Sequence, residues 1–165
     1  MSGNEADKAG IRGIPARFTR RRKPVQRGAM TPRPATAGDQ HAIVALWRSC
    51  GLTRPWNDPD ADFARALDGE ASTILLIERN GTVIGTIMVG DDGHRGWVYY
   101  LAVHPDRRSE GIGRALMVAA EGWLRDRGVP KVQLMVRGDN AQALAFYTAL
   151  GLERQDVVTL GRFLD

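Results

Sequence analysis

The chain has 165 residues, of which 43% are hydrophobic and 25% are charged, as in an ordinary globular domain with a sizeable core. Its net charge of +4 does not indicate a nucleic-acid-binding domain, because the charge is unevenly placed. Residues 1–29 hold eight Lys or Arg and two Asp or Glu, whereas the rest of the chain holds 15 and 17. The single cysteine excludes an internal disulfide, and no apolar stretch approaches transmembrane length. We therefore expect a cytoplasmic protein with no membrane association and no specific nucleic-acid partner.

Residues 1–30 are predicted to form a disordered basic tail, because their few large apolar residues show no periodicity. They lack the apolar segment of a secretory signal. The run from Arg20 to Lys23 is compatible with RNA or anionic lipid, although short basic runs are usually only solvated. Met30 directly precedes the folded pattern and is a plausible start of translation. We place a single domain at residues 31–165.

The first part of this domain is predicted to contain an edge strand and two helices. The stretch "TPRPAT" (31–36) suits an edge strand, where prolines are tolerated. Apolar residues at helical spacing between Asp39 and Gly51 predict a helix. A second helix is expected to begin at Asp58, a good N-cap that is followed by Pro59 at the first helical position.

The remainder of the domain changes to the period of strands and then alternates strands with helices. Two apolar, β-rich runs flank Asn80 and Gly81, which is a strong hairpin signal. "GWVYYLAV" (96–103) is almost entirely apolar, as expected of a central strand covered on both faces. The elements predicted after it are a helix at 111–128, a strand at 131–136, a helix at 140–151 and a strand at 156–164. The order β-α-α-β-β-β-α-β-α-β predicts an α/β (α+β) fold with helices on both faces of a mixed sheet.

The stretch "VHPDRRSEGIGRALM" (103–117) leads from the central strand into a helix. A helix start offers unpaired N–H groups and a partial positive charge to an anion. Gly111 and Gly113 would let a ligand approach the backbone, and Arg107 and Arg108 could add charge-assisted bonds to phosphate. The residues therefore fit a pyrophosphate site, or else a tight turn whose glycines serve packing alone.

Other common chemistries lack their motifs in this sequence. The glycine turn continues without the Lys-Ser/Thr of a P-loop, and Leu116 stands where a dinucleotide fingerprint requires its third glycine. The Gly-x-Ser-x-Gly motif of the nucleophile elbow, which presents a catalytic serine, is absent. His41, His94 and His104 lack metal-ligand spacing, and Cys50 has no partner cysteine. No metal is expected.

Two motifs in order resemble the GNAT superfamily of acyl-CoA-dependent N-acetyltransferases. "LAVHPDRRSEGIGRAL" resembles motif A, whose core is carried here by Arg108, Gly111 and Gly113. About 30 residues later, "DNAQALAFYTALGL" resembles motif B and contains Asn140 and Tyr147. The resemblance covers residues 31–165. "LTRPWNDPD" (52–60) and the residues of 92–105 are further similar to a bacterial YpeA-like subgroup.

The resemblance implies a splayed sheet, acetyl-CoA as co-substrate, and direct acetyl transfer to a primary amine through a tetrahedral intermediate. The backbone of Leu101, Ala102 and Val103 would pair with the pantetheine arm and polarise the acetyl carbonyl. Tyr147 would protonate the departing thiolate, and Asn140 would contact the arm or the cofactor's wall. The other implied cofactor-binding residues are those of the glycine turn: Arg108, Ser109, Glu110, Gly111, Ile112, Gly113 and Arg114.

The sequence departs from the family pattern in three places. Ser109 replaces a common glycine, Glu110 is an acid where a basic residue is frequent, and the strand at 97–103 carries no Asp or Glu to act as a base. An alkylammonium with a pKa near ~10 must lose a proton before it attacks. The candidate bases are Asp58, Asp91, Asp92, His94, Tyr99 and Tyr100. A helix cap is the simpler interpretation of Asp58, and a turn is the simpler one for Asp91 and Asp92.

The acceptor is an amine on a small molecule or a protein, and the region that would bind it is variable in the family. Trp47, Trp56 and Asn57 lie near that region; Trp47 has the spacing of a core residue, whereas Trp56 lies in a Pro-rich loop and is the better candidate for the acceptor wall. The acids nearby favour a cationic amine. Two alternatives remain at this point: a non-catalytic acyl-CoA-binding or regulatory module, and an RNA- or ribosome-associated protein that uses the basic tail. We expect a monomer or a homodimer.

Overall fold

The computed structural model describes residues 30–164, so the prediction of a disordered tail at residues 1–30 falls almost wholly outside the described residues. Nine helices and strands form within the described range, together with 3₁₀ turns at Ala37–Asp39 and Pro105–Arg107. In chain order they are β1 (Arg33–Pro34), α1 (Gln40–Ser49), α2 (Pro59–Asp68), β2 (Ser72–Arg79), β3 (Thr82–Asp91), β4 (Gly96–Val103), α3 (Ile112–Arg125), β5 (Val132–Leu134) and α4 (Ala141–Ala149).

The strands form a mixed sheet in the order β1-β2-β3-β4-β5. Strands β1 to β4 are antiparallel neighbours, and α3 crosses over so that β5 lies parallel to β4. Asn80 and Gly81 connect β2 to β3 with φ angles of 53° and 75°, the left-handed pair that a tight hairpin requires. The predicted edge strand and hairpin are therefore confirmed.

Helices cover both faces of the sheet, as predicted. The α3 face holds one apolar cluster, in which Ile112, Leu116 and Leu124 pack against β3 and β4. The opposite face holds a second cluster, in which Trp47 of α1 and Phe63 of α2 are almost fully buried. Strand β4 lies between these two clusters, since its residues contribute to both. Helix α4 lies on the α3 side, where Phe146 and Tyr147 pack against the first cluster.

The last predicted strand does not form. Residues 152–164 carry no regular secondary structure, and Val158 and Leu160 are 85% and 90% exposed. The apolar residues there do not alternate, and Gly161 interrupts them, so no face of a strand would be buried against the sheet. The neighbouring strand β5 has only three residues, which offers a short edge for pairing. Local β-propensity alone did not make this segment a strand.

No helix among the described residues is long and apolar enough to span a membrane.

Candidate active site

The sheet splays between β4 and β5, as the resemblance implied. The two strands pair only from Gly96 to Val98 on β4, so that within residues 30–164 no strand pairs with the last five residues of β4 on that edge. The His104 N–H bonds the Ile84 carbonyl of β3, and successive strand residues point their backbone groups to opposite edges. Leu101 and Val103 therefore face the open edge, whereas the backbone of Ala102 faces β3. This edge can accept an extended ligand as an additional strand.

A β-bulge in β4 sets this arrangement. The register with β3 shifts between Thr86 and Met88, and Tyr100 adopts a φ of 49°, a rare conformation for an aromatic residue. The additional residue places Tyr99 and Tyr100 on the same face of the sheet, toward α1 and α2. Its strain of roughly 1–3 kcal/mol is held by the surrounding packing, since the Tyr100 ring stacks on Trp47 with centroids 4.0 Å apart.

The glycine turn leads from β4 into α3 and presents the helix N-terminus to solvent. Gly111 is the N-cap residue with a φ of 86°, and the space where its Cβ would stand is open, the nearest atom being Met30 Cε at 3.9 Å. The N–H groups of the first helical turn can thus be reached by an anion. Arg108 is exposed beside them and takes part in none of the ion pairs found within residues 30–164.

The other glycine of the turn serves packing. A Cβ at Gly113 would lie 3.1 Å from Cζ of Phe146, so this glycine brings α3 and α4 close together. Each of the two interpretations of the turn therefore applies to one glycine. Gly111 leaves the helix N-terminus accessible to an anion, and Gly113 serves packing by positioning α4. Arg114 also contacts α4, since its guanidinium donates to the Ala149 carbonyl over 3.4 Å.

The structure explains why an acid is tolerated at Glu110. Its carboxylate lies 2.9 Å from the Arg79 guanidinium and 3.5 Å from that of Arg107. The Arg79 hydrogen bond, with smaller contributions from the charges of Arg79 and Arg107, lowers the pKa of Glu110. The acid is thus ionised and neutralised locally, which leaves Arg108 as the cation of the turn that can pair with phosphate.

Ser109 adopts the left-handed conformation, with a φ of 64°, where the family often has glycine. This conformation costs an L-residue roughly 1–2 kcal/mol, and glycine would lose about 0.5–1 kcal/mol through its larger unfolded-state entropy. We expect Ser109→Gly to raise the free energy of unfolding by up to about 1 kcal/mol in urea titrations. Ser49→Gly, within the right-handed helix α1, is the control and should destabilise. If Ser109→Gly loses as much stability as the control, the left-handed conformation of Ser109 is not strained.

Helix α4 supplies the other two residues that the resemblance implied. The Asn140 side chain caps the helix by accepting from the Ala143 N–H over 3.0 Å, which leaves its NH₂ group for other contacts. Tyr147 is half-buried against the α3-side cluster, with its ring edge-on to Phe146 at 5.1 Å. Burial raises the pKa of Tyr147 to about 12, so its hydroxyl is a proton donor throughout the neutral range.

A cavity of about 310 Å³ opens on the opposite face of the sheet, beside the bulge. Its walls come from α2, β2, β3, β4 and the loop before α2. The residues that line it include Asn57, Asp62, Arg65, Met88, Tyr99 and Tyr100.

Sequence comparison identifies the family of this chain. The model of the acetyltransferase (GNAT) family matches residues 41–152. The chain belongs to the GNAT acetyltransferase family. Over 126 residues it is 47% identical to an acetyltransferase of Pectobacterium atrosepticum, in an alignment that covers 76% of this chain and 89% of that protein.

Solved structures show the same fold for this GNAT enzyme. The structure of AAC(6')-Iy in complex with the bisubstrate analogue CoA-S-monomethyl-acetylneamine aligns with a TM-score of 0.73 at 18% identity. The alignment covers 84% of this chain and 100% of the AAC(6')-Iy chain. The aminoglycoside 6'-N-acetyltransferase AAC(6')-IG from Acinetobacter haemolyticus has a TM-score of 0.68 at 19% identity, with 82% and 100% covered. At these identities the likeness concerns the fold.

The protein is an acetyl-CoA-dependent acetyltransferase. The residues present fit the co-substrate, since an accessible helix N-terminus with a nearby cation lies at the end of a strand with an open edge. AAC(6')-Iy has also been solved with CoA bound. Within residues 30–164, no group of three or more His, Cys, Asp or Glu is arranged to hold a metal ion.

The predicted base candidates of the GNAT enzyme lie in two different settings. Asp58 caps α2 by accepting from the N–H groups of Asp60 and Ala61, which confirms its predicted cap. Asp91 and Asp92 accept backbone N–H groups of the turn that follows β3. Hydrogen bonds to Asp92, first from the Arg95 N–H and then from Trp97 and the His94 N–H, lower its pKa to about 2 and make it a weak base.

Of the six candidates, only the two tyrosines line the cavity. Burial, with the Asp62 hydrogen bond next in weight, raises the pKa of Tyr100 to about 12, and burial with the charge of Asp92 raises the pKa of Tyr99. Both hydroxyls thus remain protonated at neutral pH. On the acceptor side, Trp47 is a core residue as predicted, and Trp56 is 63% exposed and lies outside the cavity wall.

Sequence reasoning missed Asp62. The sequence motifs assign it no role in the site, yet its Oδ2 accepts the Tyr100 hydroxyl over 2.7 Å. These residues lie 38 positions apart, and neither belongs to a motif that would have paired them.

Proposed function

We propose that this enzyme transfers the acetyl group of acetyl-CoA directly to a primary amine of a small molecule or a protein. The observation that supports it is the junction of two accessible backbone surfaces, namely the N-terminus of α3 and the open edge of β4, on which the Val103 carbonyl accepts the Cys50 thiol over 3.4 Å. A diphosphate on the helix and an extended arm along the strand would use both. Similarity at 52–60 and 92–105 further suggests the YpeA-like subgroup.

Different residues of the chain would bind the co-substrate and carry out the transfer. The first N–H groups of α3 and the Arg108 guanidinium bind the pyrophosphate. The backbone of Leu101 and Val103 pairs with the pantetheine arm, and an N–H on that edge polarises the acetyl carbonyl. The Tyr147 hydroxyl donates its proton to the sulfur as the C–S bond breaks. The ammonium of the acceptor loses one proton to water before its nitrogen attacks, and the nitrogen loses a second proton when the tetrahedral intermediate collapses, which balances the proton that Tyr147 gives to the sulfur.

Release of the CoA thiol tests this function. The protein is incubated with acetyl-CoA and, one at a time, a diamine, an amino acid, an aminoglycoside, an alcohol and a lysine-containing peptide. We expect thiol release and an equal amount of N-acetylated product, by mass spectrometry, with at least one amine and none with the alcohol. Binding of acetyl-CoA without transfer to any amine would instead favour the non-catalytic acyl-CoA-binding module.

A further inference from the structure

We infer that the cavity beside the β4 bulge is the acceptor site and that the Asp62 carboxylate recognises a compact, positively charged amine there. This inference rests on the proposed function, since it assigns the second substrate of the same reaction. The cavity adjoins Tyr99 and Tyr100, and the next residue, Leu101, is the first of the two whose backbone is proposed to pair with the pantetheine arm.

The charge fixed in the cavity is that of Asp62. Its side chain is 20% exposed, and it is held by a hydrogen bond from Tyr100, whose ring is itself stacked on buried Trp47. The partner cation, Arg65, pairs with the other carboxylate oxygen, but the Arg65 side chain is 70% exposed. An exposed ion pair of this kind contributes little, so an entering ammonium can take the place of Arg65.

The bulge is what directs the tyrosine to this carboxylate. In a regular strand, Tyr99 and Tyr100 would point to opposite faces, and Tyr100 would enter the α3-side core. The left-handed conformation of Tyr100 turns its hydroxyl to Asp62 instead. Because Tyr100 donates its hydroxyl proton to Oδ2 of Asp62, Oδ1 of Asp62 is the oxygen that faces Arg65 and that would face the entering ammonium.

The remaining walls limit the size of the occupant. Met88 and the ring of Tyr99 give the cavity apolar surface, while Asn57 adds a polar group near the Tyr100 hydroxyl. A volume of about 310 Å³ accommodates a small amine or the end of a longer one. We therefore expect short diamines and similar cations to be preferred over amines that carry a carboxylate.

Two arms of one experiment separate this inference from the proposed function. In the first, calorimetry measures amine binding in the presence of CoA, which cannot transfer an acetyl group. In the second, steady-state rates with acetyl-CoA give kcat and KM for the amine. The variants are Asp62→Asn, Tyr100→Phe and the control Asp60→Asn, whose carboxylate lies on the same helix and bonds Gln40 and Arg48.

For Asp62→Asn we expect the Kd and KM of the diamine to rise by about 10-fold or more, with the KM of acetyl-CoA unchanged. Tyr100→Phe should raise them by less, and Asp60→Asn should have no effect. Wild-type preference for an amino acid over the diamine, or equal diamine binding by wild type and Asp62→Asn, would overturn the inference. Diamine binding that depends on Asp62 without any transfer would support the site and refute the proposed function. Should Asp62→Asn fail to fold, unchanged diamine affinity of Tyr100→Phe would count against the inference.

Discussion

Tyr147→Phe is expected to lower kcat about 100-fold, the loss typical of removing a general acid. The hydroxyl is the proposed donor to the departing thiolate, and phenylalanine keeps the ring that packs edge-on to Phe146. The dissociation constant of acetyl-CoA should therefore change little. Because the pKa of Tyr147 is raised to about 12, the donor form persists at high pH. The wild-type rate should not fall between pH 8 and 10 through titration of this residue, as it would for a tyrosine with the ordinary pKa of 10.

The control is Thr148→Val, which removes a hydroxyl from the next position of α4, where the side chain is exposed. Its kcat should match that of the wild type. Single-turnover thiol release should show the same defect for Tyr147→Phe, since the step affected is chemical. If Tyr147→Phe turns over as fast as Thr148→Val, another group protonates the sulfur.

Gly85→Ala is expected to lower the free energy of unfolding by about 1–3 kcal/mol, the effect of overpacking a filled core. A Cβ at Gly85 would lie 2.5 Å from Cγ2 of Ile112, a stiff side chain at the first position of α3 that is only 1% exposed. The clash requires Ile112 to shift, and a shift of the start of α3 away from β3 would relieve it. The same variant should therefore bind acetyl-CoA more weakly, since this helix start is the proposed pyrophosphate site.

Gly122→Ala is the matched control, since a Cβ at Gly122 meets nothing within 4 Å. Within helix α3, alanine in place of glycine should stabilise by roughly 0.5–1 kcal/mol. Urea denaturation of both variants gives the comparison. Equal or greater stability of Gly85→Ala relative to wild type would show that α3 does not pack against β3 as closely as described.

Much of the fold follows from local signals in the sequence. Asn80-Gly81 specified the hairpin, Asp58 and Asn140 specified helix starts, and the apolar run of β4 indicated a strand covered on both faces. Each signal acts within a few residues through backbone geometry or capping. The strand expected at 156–164 failed for the complementary reason, because a strand needs a partner edge that its own residues do not supply.

The candidate site could be proposed from the sequence where it lies in a contiguous motif, but not where it depends on distant contacts. The glycine turn and Tyr147 could be selected from the sequence, but the pairing of Glu110 with Arg79, 31 residues away, could not. The same holds for Asp62 with Tyr100, and for Gly113 against Phe146. The Asp62–Tyr100 pair depends on the bulge of β4, and the other two pairs depend on how the turn into α3 lies against β2 and α4; no contiguous residue pattern specifies these contacts.

Hydrogen exchange with and without acetyl-CoA tests the central claim most directly, because the claim concerns backbone N–H groups at two named places. Mass spectrometry of peptides from the intact protein would report exchange across the described residues. We predict that saturating acetyl-CoA slows exchange in the segments 101–103 and 110–114, and that peptides from α2 and from the β2–β3 hairpin change little. Exchange that is unaltered in both segments, with protection only elsewhere, would contradict the placement of the co-substrate on β4 and α3.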